Sequence, residues 1–378
     1  MLQTYAYLVG ARDFVDFGGY KYHSTFPEGR EGNSMWVDQD EHRELGKKFM
    51  NKVLEDREFS FFLINDCYKL CDELVANSKE ICNINLLDAS DRQLKEAFST
   101  FMKKYMKLTR YMLTPHFVEL ALSESIRKWL FEKLHDESKV DETFANIAVP
   151  SKETSSIKEQ KSLLRIAAEV KKYPTLLALF TKSSMKLENL NPVFSEAGKM
   201  IDDHMAKYAW MPMVSMINPP RGKQEFLIMI SDVLKTDENP FQKLKIIERR
   251  TKEEKEIANK RLEGLNTPDE IVDYVKALQD FIFLRTFRME AYGQAHYYAQ
   301  PLFAEISRKA KLTPHETKYL THLEILDFFE TGRMISTDDI RERMVAYAFV
   351  MRNGIISEVF AGKKAAELKK KELAEGIA

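Results

Sequence analysis

Turn-forming residues are scarce in this chain of 378 residues, which has only 14 Gly and 12 Pro. Together they are about 7 % of the chain, where a typical globular protein has roughly 12 %. Gly supplies positive φ and Pro presets the first corner of a turn, so their scarcity excludes a fold built of many tight hairpins and points to long helices. Cysteine is scarcer still. Cys67, Cys71 and Cys82 are too few for a disulfide scaffold, and no second Cys pair or nearby His completes a four-ligand zinc set around them. They read as buried, reduced thiols of a cytoplasmic protein. Charge of one sign is also missing: 57 Lys and Arg stand against 58 Asp and Glu, a net charge of −1, which argues against a nucleic-acid binder. Long hydrophobic runs are absent. A stretch such as Val345 to Met351 falls far short of the ~20 residues that a spanning helix needs, so no membrane association is expected. Met1 to Gly10 has neither a basic start nor a long apolar segment, and does not read as a secretory signal.

Apolar material is plentiful. Hydrophobic residues make up 44 %, with 24 Phe and 15 Tyr, enough to build a core and to exclude wholesale disorder. The expected fold is all-α, a multi-helix bundle-like array with a small N-terminal β or irregular arm. Residues 1–40 form that arm, since Leu2–Val9, Tyr20–Phe26 and Met35–Val37 are rich in Tyr, Thr, Val and Phe and are separated by Gly and Pro. Residues 41–137 form a helical block, with stripes such as Leu45, Phe49 and Val53, then Leu94, Phe98, Phe101 and Tyr105. Residues 138–156 are mostly polar and read as a connector. Residues 157–362 form a second helical block. Within it Ser336 caps a helix expected to run through Tyr347 to Met351, and Arg249 to Arg261 reads as a solvated helix laced with i,i+4 pairs. Residues 363–378 read as a charged, frayed tail.

Phosphate-binding chemistry is missing from the text of the chain. There is no GxxxxGK[ST], no strand–GxGxxG–helix and no GxSxG, so neither a cofactor nor a catalytic residue is expected. Glu132-x-x-His135 has no second copy to complete a di-iron set. His315 and His322, seven apart, have the spacing to share one helix face, but no carboxylate is placed to complete a metal site. Two clusters carry more chemistry. His204, Lys207, Tyr208 and Trp210 offer an apolar wall with a few orienting polar groups, as a small-molecule pocket does; a buried aromatic junction between helices needs the same residues. Arg285 and Arg288, three apart, share a helix face and offer a clamp for phosphate or carboxylate; half-buried ion pairs to a neighbouring helix use the same pattern.

The order of several segments resembles the helical region of the phosphoenolpyruvate-utilising phosphotransferases, the group of phosphoenolpyruvate synthase, pyruvate phosphate dikinase and rifampicin phosphotransferase. The segments are Trp36-Val37-Asp38, Leu54-Glu55-Asp56-Arg57-Glu58-Phe59, Ala89-Ser90-Asp91-Arg92-Gln93-Leu94, Val149-Pro150-Ser151 with Glu159 to Ala167, His204 to Trp210, Leu284 to Glu290, and Leu323-Glu324-Ile325 with Gly332 and Ile340 to Arg343. In such enzymes an ATP-grasp domain phosphorylates a histidine on a swivelling domain, and that histidine passes the phosphoryl group to the acceptor. Neither an ATP-grasp segment nor a phosphohistidine loop is present between Met1 and Ala378. The resemblance therefore implies a substrate-binding or scaffolding component that works with a partner chain carrying the ATP-grasp and phosphohistidine domains. Arg285 and Arg288 would hold an anion, and His204, Tyr208 and Trp210 would line the pocket of a small-molecule acceptor. The rival expectation is a non-catalytic helical interaction protein that keeps the fold only.

Overall fold

A computed structural model describes residues 1–13, 23–28, 32–150, 152–181, 195–214, 218–353 and 355–374. In chain order the elements are α1 (Leu2–Arg12), β1 (His23–Glu28), β2 (Gly32–Val37), α2 (Gln39–Glu55), α3 (Arg57–Cys82), α4 (Asp91–Thr109), α5 (Thr114–Leu134), α6 (Glu137–Ile147), α7 (Ser155–Val170), α8 (Pro174–Thr181), α9 (Ser195–Tyr208), α10 (Lys223–Lys235), α11 (Pro240–Gly264), α12 (Asp269–Tyr298), α13 (Gln300–Ala310), α14 (Pro314–Thr317), α15 (His322–Thr331), α16 (Thr337–Val345), β3 (Tyr347–Arg352), β4 (Ile355–Ala361) and α17 (Gly362–Ala374). The protein is mainly α-helical, as its shortage of turn residues implies. Its packing separates into two units. The first holds Met1–Ala121 and Ala291–Ala378, the second Leu122–Val214 and Asn218–Glu290.

Local signals set most helix starts in the first unit. Asp38 accepts the backbone N–H groups of Asp40 and Glu41 at 3.0 and 2.9 Å, satisfying donors that an α-helix leaves orphaned at its first turn. Ser90 and Gln93 form a reciprocal capping box at α4, and Thr313 and Glu316 do the same behind the Pro at the start of α14. Phe98, Phe101 and Tyr105 of α4 are fully buried. α1 crosses α4 at very close range. Thr109 Oγ1 donates to the Ala6 carbonyl at 2.8 Å, and a Cβ on Gly10 would fall on the Thr109 carbonyl, so only glycine fits there.

The sheet of this unit has the order β2-β1-β3-β4, all antiparallel. Ser24 of β1 faces Trp36 of β2 on one side and Val350 of β3 on the other. A bulge at Val350/Met351 interrupts the β3–β4 register. Two N-terminal strands thus pair with two C-terminal ones.

Three sequence expectations fail in this unit. Leu2–Val9 is helix, not strand: Thr4, Ala6, Leu8 and Gly10 are buried and the residues between them half-buried, so a helix covered nearly all round shows no polar stripe to announce itself. Tyr347–Met351 is strand, not the end of a helix. α16 stops at Val345, and Ala346 turns extended at φ −159°, ψ 145°. A short unbroken apolar run has no period to separate a central strand from a buried helix. Finally, the charged residues after 362 form α17, which packs Ala365 and Leu368 against Ala348 and Phe360. Of the cysteines, Cys67 and Cys71 are buried but Cys82 is exposed.

The core of the second unit is built by α7, α8, α9 and α10. Leu163, Ile166, Ala167 and Val170 meet Leu176 and Phe180, Ala197 and Ile201, and Leu227, Ile230 and Leu234. Ser231 ties α10 to α8 by donating to the Phe180 carbonyl at 2.7 Å. α6 occupies Glu137–Ile147 inside the polar stretch read as a connector. α11 carries the expected ladder, with Arg249–Glu253 at 3.1 Å, Arg250–Glu254 at 2.8 Å and Lys252–Glu256 at 3.8 Å, all on exposed side chains.

Candidate functional site

His204, Tyr208 and Trp210 come together at the end of α9. α9 ends at Tyr208, the chain turns through a 3-10 segment at Met211–Val214, and Arg221 N–H donates to the Ala209 carbonyl at 2.9 Å. This returns the chain beside α7. The His204 ring lies 4.8 Å from Tyr208 and 5.0 Å, edge-on, from Phe226 of α10. Its Nδ1 is 2.8 Å from Ser162 Oγ of α7. Trp210 Nε1 donates to the Lys207 carbonyl at 2.8 Å. His204, Tyr208 and Trp210 are 2 %, 4 % and 4 % exposed.

Two residues that sequence reasoning did not single out complete this layer. Glu159, one turn before Ser162 on α7, is buried and pairs with Arg221, whose guanidinium also lies 5.9 Å from the Phe226 ring centre. Spacing in α7 places Glu159 and Ser162 on one face, but no local signal joins them to Arg221, 62 positions on. Burial, aided by the Arg221 and Lys207 cations, lowers the His204 pKa to about 4. Burial also raises Glu159 against the pull of Arg221, and raises Tyr208, with Glu159 adding to the effect. The imidazole is therefore neutral at pH 7. It exchanges a hydrogen bond with Ser162 on one nitrogen, while Nε2 has no partner among the described residues.

Arg285 and Arg288 lie in the second half of α12. They differ in depth: Arg285 is exposed and Arg288 is 7 % exposed. Glu290, two residues on, is buried and its two oxygens are spent on α7. Oε1 accepts Ser155 N–H and Oε2 accepts Ser155 Oγ–H, both at 2.7 Å. Lys152 and Asp280, 2.7 Å apart, and Gln279 with the Ile147 carbonyl, 2.7 Å, fasten the segment before α7 to the same helix. The arginines are thus tied in sequence to the start of α7, whereas His204 meets α7 two turns later at Ser162. Neither the cavity at α3–α4 nor that between α7 and α10–α11 is lined by any of the five residues.

Neither of the two histidine spacings lies within a single helix. His135 sits beyond the end of α5 at φ 49°, so the ExxH spacing is not helical to its end. His315 belongs to α14, and His322 opens α15. Among the described residues no three His, Cys, Asp or Glu side chains are grouped to hold a metal ion, and no helix is long and apolar enough to cross a membrane. No family model matches the chain, and no curated protein matches it.

Proposed function

We propose that this chain is the substrate-binding or scaffolding component of a phosphoenolpyruvate-synthase-like phosphotransferase, receiving its phosphoryl group from a phosphohistidine on another chain. The observation that carries the reading is the arginine pair: a buried guanidinium, Arg288, stands one turn from an exposed one, Arg285. Such a pair takes an anion from solvent inward, where its charge is less screened and its bonds to phosphate oxygens are stronger. Both oxygens of the neighbouring Glu290 accept from Ser155, the backbone N–H and the hydroxyl. Phosphoryl transfer depends mainly on positioning and charge neutralisation, which a chain without a phosphate loop can still supply.

The test is a calorimetric titration of the chain with phosphoenolpyruvate and with inorganic phosphate, repeated on Arg285→Ala and Arg288→Lys. Saturable binding that weakens in both variants supports the reading. Absence of binding by the parent chain overturns it.

A second reading, a non-catalytic helical interaction protein that keeps the fold only, is favoured by the burial of His204, Tyr208 and Trp210. Groups whose hydrogen bonds close on Ser162 and the Lys207 carbonyl serve as packing without any acceptor.

A further inference from the structure

The His204 layer is closed by a strap of chain between α9 and α10, of which residues 209–214 and 218–221 are described. The two ends of the strap are joined, Arg221 N–H donating to the Ala209 carbonyl at 2.9 Å, as in compact surface loops that carry their own packing. Further hydrogen bonds of the strap are local. Met213 N–H donates to the Trp210 carbonyl at 2.8 Å, Asn218 Nδ2 to the Pro212 carbonyl at 3.2 Å, and Trp210 Nε1 to the last turn of α9. The pair of Arg221 with Glu159 fastens the strap to α7. The apolar core between α7, α8, α9 and α10 is built from other residues. A segment held in this way opens at a lower free energy than the helices it lies on.

The layer has no place for a second proton on His204. Nδ1 is 2.8 Å from Ser162 Oγ, and Nε2 is buried with no hydrogen-bond partner among the described residues. An imidazolium donates from both nitrogens, so one N–H would be buried without an acceptor. The charges that act on the ring are cations, Arg221 on the strap and Lys207 on α9. Glu159 of α7 is engaged with Arg221, Arg165 of α7 acts on Tyr208, and Asp202 of α9 is held by Lys223 of α10 at 2.6 Å. Phe226, the α10 side chain that meets the ring, carries no charge. A positive charge on His204 therefore pushes against Arg221, the residue that holds the strap down.

We propose that the strap is an acid-released latch: a proton on His204 frees residues 209–214 and 218–221 from α7 while the helices stay folded. The latch rests on the His204 layer alone and stands whether or not the arginine pair binds phosphate.

In the closed form the His204 pKa is about 4, against 6.5 for an ordinary imidazole. Going from pH 7 to pH 5 therefore favours the open form by up to about twentyfold. Glu159, raised by burial, takes its proton sooner in the closed form and reduces that figure. The test is amide hydrogen exchange of the full chain, corrected for the intrinsic rate at each pH. Met213 and Arg221 N–H are expected to lose about five- to twentyfold in protection between pH 7 and pH 5. They should exchange faster than the Ile230 and Leu234 amides of α10 at both pH values, with far-UV circular dichroism unchanged. His204→Phe cannot take the proton and is expected to hold both strap amides protected at pH 5. If that variant does not fold, His204→Gln replaces it, and if neither folds the parent chain decides alone. The latch is overturned if Met213 and Arg221 keep their protection at pH 5, if they exchange no faster than Ile230 and Leu234 there, or if the folded variant shows the same loss.

Discussion

Glu290 caps a helix that begins 135 positions before it. Its carboxylate receives both the backbone N–H and the hydroxyl of Ser155, each at 2.7 Å. The N-cap residue of α7, Thr154, makes no side-chain cap of its own, so a buried anion from α12 does the work at the positive end of the helix dipole. Replacing Glu290 by Ala orphans these donors and is expected to destabilise the protein by about 1–3 kcal/mol. Glu290→Gln, which keeps one acceptor, should lose less. Chemical denaturation of both variants checks this; equal losses below about 0.5 kcal/mol for the two would remove the cap from the account.

The depths of the two arginines separate their mutants. Arg285→Ala, at an exposed position, is expected to stay within about 0.5 kcal/mol of the parent. Arg288→Ala removes a buried side chain and should cost at least about 2 kcal/mol more, through the lost packing of its stem. Thermal melts of the two variants side by side decide; equal melting temperatures would contradict the difference in burial.

Buried His204 makes the fold sensitive to acid. Its pKa in the folded state, about 4, is below the ordinary 6.5, and His322 is lowered to about 4 by burial as well. The unfolded chain therefore takes up protons first as pH falls from about 6.5 toward 4. Stability present at pH 7 is lost across that window, by up to about 1.4 kcal/mol per pH unit for each histidine. Below about pH 4 both states are protonated and this source of loss ends. Urea melts between pH 7 and 4.5 read the slope, and His204→Phe should flatten part of it. NMR titration of His204 near pH 6.5 in the folded protein would be the contrary result.

Two glycines predict opposite signs. A methyl at Gly10 collides with the Thr109 backbone, so Gly10→Ala should cost about 1–3 kcal/mol through displacement of α1 from α4. Gly198, inside α9, has nothing within 4 Å of its would-be Cβ. Gly198→Ala should gain about 0.5–1 kcal/mol from the lower entropy of the unfolded chain. Thermal melts that move in the same direction for both would reject the reading of the α1–α4 crossing.

What was legible in the sequence was whatever is local. The cap at Ser336 lies within a few residues of the donor that it satisfies, and the stripe from Leu94 to Tyr105 shows its period in its own text. Elements whose identity depends on distant partners were misread. α1 is wrapped by α4 and the sheet, β3 is buried on both faces, and α17 is held by Ala365 and Leu368 in an otherwise charged run. The same limit applies to the cluster around His204. Tyr208 and Trp210 announced an aromatic junction within one short stretch, but Ser162, Glu159 and Arg221 reach it from other elements, and only packing shows that the layer is closed on itself.

The sheet order has a consequence for synthesis. β3 leaves the ribosome roughly 310 residues after the β1–β2 hairpin, so at ordinary rates of about 5–20 residues per second the hairpin waits about 15–60 seconds for its neighbour. A lone two-stranded ribbon is at best marginally stable in water and presents an unpaired edge. The second unit, complete by Glu290, has its helical core in hand well before then. Translation therefore imposes an order of assembly in which the second unit is finished before the strands that precede it and those that follow it are joined.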